Sequence, residues 1–108
     1  MTNKDYESQK LARFENRTEM ALGKSKEYAK DGDRLANFKE AAQVLGVHPL
    51  TVASVYFYKH IAAVLTYCRK TSLGQTPELS EPIEGRIQDA QEYLDIIAAL
   101  IKDTTSGT

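Results

Sequence analysis

One cysteine in 108 residues leaves no partner for an intramolecular disulfide and no cysteine-based zinc site. Cys68, after Leu65-Thr66-Tyr67, reads as a small buried apolar residue of a reducing, cytoplasmic compartment. Only two histidines are present, His48 and His60, too far apart for a local metal motif. There is no glycine-rich phosphate loop and no G-x-S-x-G nucleophile elbow. An excess of one charge is missing too: the net charge is -1, which argues against direct DNA or RNA binding. No apolar run is long and charge-free enough to span a bilayer. The polar opening "MTNKDYESQK" is expected to be neither signal peptide nor membrane anchor. Repeats, linkers and low-complexity blocks are absent as well.

What the chain does have is helical periodicity, in four segments with no convincing strand. The first runs from about Lys4 to about Lys30, where Leu11, Phe14, Ala21, Leu22, Ser25, Tyr28 and Ala29 recur at helical spacing. Gly23 is expected to bend or fray it, and Gly32 to end it. The second, "DRLANFKEAAQVLG", has Asp33 as N-cap, an apolar face of Leu35, Phe38, Ala41, Ala42 and Leu45, and Gly46 as its stop. The third starts with Pro49 in the first helical position and continues to about Thr71. Leu50, Val52, Ala53, Val55, Phe57, Ile61, Val64, Leu65 and Cys68 make it apolar on most sides, the pattern of a buried central helix or one sandwiched in an oligomer. The fourth opens with Ser80 as N-cap and carries Glu81, Pro82 and Glu84 in its first turn. Its stripe is Ile83, Ile87, Ala90, Leu94, Ile97, Leu100 and Ile101. Short connections then give the expected fold: all-α, a compact antiparallel bundle of about four helices, with one domain over residues 1–102 and a flexible tail over 103–108.

Three places carry polar residues that a plain bundle does not need. On the third helix, Tyr56, Lys59, His60, Ala63 and Tyr67 share one face at spacings of three and four. Tyrosines offer ring surface with a hydrogen-bonding tip, and Lys59 and His60 can hold a phosphate. A snorkelling lysine beside a hydrogen-bonded histidine explains the same pair without a ligand. On the fourth helix, Arg86, Asp89 and Tyr93 fall at i, i+3 and i+7. Arg86 can fork onto a phosphate or carboxylate, but a local Arg86–Asp89 surface pair accounts for the spacing alone. The third place is the corner "EYAKDGDRLANF", where Tyr28, Asp31, Asp33, Arg34 and Asn37 crowd a helix-turn-helix. Capping chemistry explains Asp33 and Gly32; the Asn37 amide can read a base edge.

The blocks "KSKEYA", "DRLANFK", "YKHI" and "SEPIEGRIQDAQEYL", in this order, resemble the small phage and prophage proteins of the nucleotide-modification-associated domain. That group is similar to the all-α, MazG-like nucleoside triphosphate pyrophosphohydrolases. The resemblance covers roughly Lys24 to Ile101. It implies a helical bundle, commonly oligomeric, with a nucleotide pocket between helices. In the enzymes, an E-x-x-E pair on one helix and an E-x-x-D on a later one hold magnesium. Here Tyr56, Lys59 and His60 stand where the first pair belongs, and Arg86 stands three before Asp89, where glutamate would complete the second. Glu92 and Asp95 form a literal E-x-x-D further along, and Glu15 and Glu19 are spaced E-x-x-x-E.

Exchanging carboxylates for Lys, His and Arg exchanges a metal-mediated grip on phosphate for a direct one. The leading expectation is therefore a non-enzymatic binder, with no cofactor, of a phosphorylated or cyclic nucleotide. It would sequester that signal without cleaving it, in the host cytoplasm if the protein is viral. Tyr28, Asn37 and the tyrosines of the third helix, Tyr56 among them, would hold the base. Lys59, His60 and Arg86 would hold phosphate, with Asp89 orienting the cations or bonding ribose, and Arg34 and Tyr93 complete the nucleotide-binding set. A magnesium-dependent pyrophosphohydrolase using Asp89 and Glu92, with Glu84 or Glu15, is the first alternative. A ligand-free, homo-oligomeric interaction module is the second.

Overall fold

A computed structural model describes residues 1–28 and 35–106, with side chains through residue 19 and from 35 to 105. It contains four helices: α1 (Asn3–Tyr28), α2 (Ala36–Leu45), α3 (Pro49–Ser72) and α4 (Ile83–Ser106). No strand occurs among the described residues. None of the described helices is long and apolar enough to cross a membrane. The chain divides into two units, Met1–Asn37 and Phe38–Thr108. The expected Asp33 cap, the Gly32 break, Arg34 and the side chain of Tyr28 lie outside the described residues.

In the first unit, α1 begins with a reciprocal cap. The Thr2 hydroxyl accepts from the Asp5 backbone N–H at 3.1 Å, and the Asp5 carboxylate accepts from the Thr2 N–H at 3.4 Å. Two otherwise orphaned donors are thereby satisfied. The helix continues through Gly23 without a break. Its apolar positions Leu11 and Phe14 are exposed, and the Arg17 guanidinium lies 5.7 Å from the Phe14 ring centre, one turn away.

In the second unit, Phe38 and Ala42 sit one turn apart on α2 and are buried. Leu45, expected on the same face, is exposed, because Gly46 (φ 70°) turns the chain away just after it. The Val47 N–H reaching back to the Ala42 carbonyl at 3.0 Å closes that end. His48 caps α3: its Nδ1 accepts from the Leu50 N–H at 3.0 Å, with Pro49 at the first position. A Schellman closure ends α3 on Gly74 (φ 73°), with Gln75 N–H to the Lys70 carbonyl at 2.9 Å and Gly74 N–H to that of Thr71 at 3.1 Å. The start of α4 differs from the expected Ser80 cap. The Pro82 carbonyl receives the first helical bond, from Gly85 N–H at 3.1 Å, so Ser80 and Glu81 precede the helix. At the other end α4 runs to Ser106, and the hydroxyls of Thr104 and Thr105 donate to the carbonyls of Leu100 and Ile101.

The antiparallel pairing of α3 with α4 carries the packing: Tyr56 lies opposite Tyr93, and His60 opposite Asp89 and Arg86. Among the described residues the buried apolar core is Phe38, Ala42, Val52, Ala53, Ala90, Ile96 and Leu100. Leu100 is fully buried, which stabilises the fold by about 1.5–3 kcal/mol relative to an exposed side chain.

Two sequence expectations are corrected here. First, within the single chain α3 is not the buried central helix: Val55 is 65 % exposed, Tyr58 71 % and Leu65 62 %, and Cys68 is exposed rather than buried. Second, the buried stripe of α4 is the expected one only in part. Ala90 and Leu100 are buried and Ile83, Ile87 and Ile97 partly so, but Ile96 is buried as well and Arg86, Asp89 and Tyr93 share the inner face. Leu94 and Ile101, on the neighbouring face with Ile87, stay 53 % and 48 % exposed. Both errors have one cause: apolar content was read as the inner face, while the packing surface is built around tyrosines, small residues and a histidine.

Candidate functional site

The helical repeat puts Tyr56, His60, Ala63 and Tyr67 on the α3 face that meets α4. Arg86, Asp89 and Tyr93 come from α4 by the same logic. The Tyr93 ring stacks with His60 (5.3 Å between centres, 20° between planes) and with Tyr56 (5.9 Å, 8°). Phe38 of α2 meets Tyr56 and Tyr93 edge-on, at 6.2 Å in each case. Such edge-to-face and stacked pairs contribute about 0.5–1.5 kcal/mol each beyond area burial. Of these rings it is Tyr93 that packs against the imidazole.

Those neighbours are on α4 and just before it. Arg86 Nη1 lies 3.4 Å from His60 Nδ1, and Arg86 Nη2 is paired with Glu81 Oε1 at 3.0 Å. His60 Nδ1 is also 3.8 Å from Asp89 Oδ2. A guanidinium has only donors, so a bond from Arg86 to Nδ1 requires the neutral imidazole with its proton on Nε2. The shift of His60 agrees: desolvation by burial lowers its pKa from the ordinary 6.5, Arg86 and Lys59 lower it further, and Asp89 and Glu81 oppose. Protonation would turn Nδ1 from an acceptor for Arg86 into a donor for Asp89.

Beyond this seam, toward the loop joining α3 to α4, lies a cleft of about 310 Å³. Thr66, Tyr67, Lys70, Glu78, Ser80 and Arg86 line it, with Ala62 and Ala63 as its small residues. Lys70 makes no ion pair among the described residues. The cleft therefore holds two cations, one carboxylate, the Tyr67 ring and the hydroxyls of Thr66 and Ser80, with the cations in excess, a set that can take an anion carrying an aromatic group.

The structure brings Tyr56, His60, Arg86, Asp89 and Tyr93 together. It places Lys59 on the exposed side of α3, near enough to bias His60 by its charge. Asn37 ends the first unit and is exposed, and Glu15 and Glu19 are exposed on α1. Among the described residues no three His, Cys, Asp or Glu side chains cluster as a metal site. Sequence reasoning left Phe38, Lys70, Ser80 and Glu81 out of the site. Lys70 was detectable, since it continues the 56–60–63–67 spacing by one step. Glu81 was not, because its use depends on where α4 begins.

No family model matches the chain, and neither a curated protein nor a solved structure does.

Proposed function

We propose that this protein binds a small phosphorylated ligand of the nucleotide class and releases it intact. The observation that carries this reading is the convergence of Arg86 and Lys70 on one cleft beside the Tyr67 ring. At about 310 Å³ the cleft is at the lower end of the range for small-ligand sites, enough for a mononucleotide-sized group. Phosphate displaces Glu81 from Arg86, which His60 steadies from behind through Nδ1. Lys70 adds a point charge, and Tyr67 offers its ring to the base. The grip is cationic, with carboxylates serving as partners of the cations, and that supports binding without turnover. The resemblance to the nucleotide-modification-associated phage proteins supports the nucleotide class, with sequestration of a nucleotide signal in the cytoplasm as the role.

A panel of linear and cyclic nucleotides, with and without magnesium, tests the proposal through thermal shift and recovery of the ligand after denaturation. Metal-independent stabilisation with intact ligand is the expected result. Turnover that a chelator abolishes would replace it with the pyrophosphohydrolase.

A further inference from the structure

The cleft contains a carboxylate for which phosphate binding has no use. Glu78 lines it together with Lys70 and Arg86. Arg86 is engaged by Glu81 and His60. Lys70 and Glu78 are opposite in sign and line one cleft, yet neither side chain makes an ion pair or hydrogen bond among the described residues. A carboxylate beside a phosphate site repels the phosphate, so a cleft for a bare anion is better without one. The loop nevertheless holds Glu78 there. It leaves α3 through the bond from the Gln75 N–H to the Lys70 carbonyl at 2.9 Å. Pro77, with its fixed φ, is the one residue of 73–82 partly withdrawn from solvent, and it seats the loop directly before Glu78. Glu78 itself is exposed, so water serves its oxygens until a ligand arrives.

We infer that the base bound in this cleft is guanine and that Glu78 is the residue that selects it, an inference that rests on the nucleotide reading above. An ionised carboxylate only accepts, through two oxygens. Guanine presents two donors side by side, N1–H and its 2-amino group, and can satisfy both oxygens at once. Adenine sets its amino group beside the N1 lone pair, and cytosine sets its own beside the N3 lone pair. Uracil and thymine offer one N3–H between two carbonyl oxygens. Each of these bases turns an acceptor towards the carboxylate and exchanges a hydrogen bond for repulsion. With Arg86 and Lys70 on phosphate and Tyr67 against the ring, Glu78 is the charged lining residue left for the base edge.

Titration calorimetry of wild type and Glu78→Gln with GMP, IMP and AMP in EDTA tests it. The three ligands share one phosphate and one ribose, so they differ only in the base. Wild type is expected to bind GMP at least tenfold more tightly than AMP. IMP, which keeps N1–H and lacks the 2-amino group, is expected in between. Glu78→Gln should weaken GMP at least fivefold while AMP holds or gains affinity, because the amide removes an acceptor that guanine uses and a charge that any phosphate resists. Equal binding of GMP and AMP to wild type, or equal changes in both on Glu78→Gln, would overturn the inference and leave nucleotide binding standing. Wild type that binds none of the three would overturn the inference together with the reading of a mononucleotide-sized site.

Discussion

The α3/α4 pairing has two ends built on the same helical period from opposite chemistry. At one, the dry end, Phe38, Val52, Ala53, Ile96 and Leu100 are all buried apolar side chains. At the other, His60, Arg86, Asp89 and Glu81 share a half-buried seam that opens into the cleft. The dry end follows from burial of apolar surface. The polar end has no such explanation, because taking a guanidinium and carboxylates partly out of water carries a desolvation penalty that well-packed apolar residues avoid. Tyr93 joins the two ends, touching Phe38 on one side and His60 on the other. The contrast teaches that apolar burial holds the fold at one end, while the other carries polar groups that burial does not explain and that the proposed function assigns to a ligand.

The largest expected effect breaks the dry end. Leu100→Ala, at a fully buried site, should destabilise the protein by about 2–5 kcal/mol, read from denaturant midpoints, while the cleft of the molecules still folded keeps its affinity. Arg86→Ala should do the reverse. We expect at least a tenfold loss of affinity for the best nucleotide, with a smaller loss of stability than Leu100→Ala, since the Glu81 partner of Arg86 is largely exposed. An Arg86→Ala variant as destabilised as Leu100→Ala would make the two ends equivalent and remove the contrast. Glu81→Gln is expected to tighten nucleotide binding several-fold in titration calorimetry, because it frees the Arg86 fork from a competing carboxylate.

The smallest effect is the pH dependence of His60. Its folded pKa lies below 6.5, mainly through burial, so the unfolded chain takes up the proton more readily. The stability contributed by neutral His60 is thus complete above pH 6.5 and is lost as the pH falls through the folded pKa. His60→Gln, which keeps an acceptor for Arg86 without titrating, should flatten the stability profile over that window. Identical slopes in the two proteins would show that folding does not shift the His60 pKa.

Much of the helical framework was legible because its punctuation is local. Gly46 ends α2, Pro49 opens α3, and a turn-rich stretch separates α3 from α4, each for reasons that need no tertiary contact. The phase of the helices was not legible from apolar content. Leu94 and Ile101 look like core and Tyr93 and His60 do not, yet the second pair faces inward. Local spacing did group Arg86 with Asp89 and Tyr93, and Tyr56 with His60. It could not show that Arg86 would bond His60 across the helices rather than Asp89 on its own. Lys59, chosen for its neighbours in sequence, faces solvent, because one step along a helix is a rotation of about 100°.

The central claim is that the polar end is a cationic ligand cleft. Its most direct test is titration calorimetry of wild type, Arg86→Ala and Lys70→Ala with dATP, AMP and a cyclic dinucleotide in EDTA, followed by chromatography of the recovered nucleotide. We expect wild type to bind at least one of the three and return it unchanged, and both variants to bind it at least tenfold more weakly. No binding of any of them to wild type, or equal binding to all three proteins, would contradict the account.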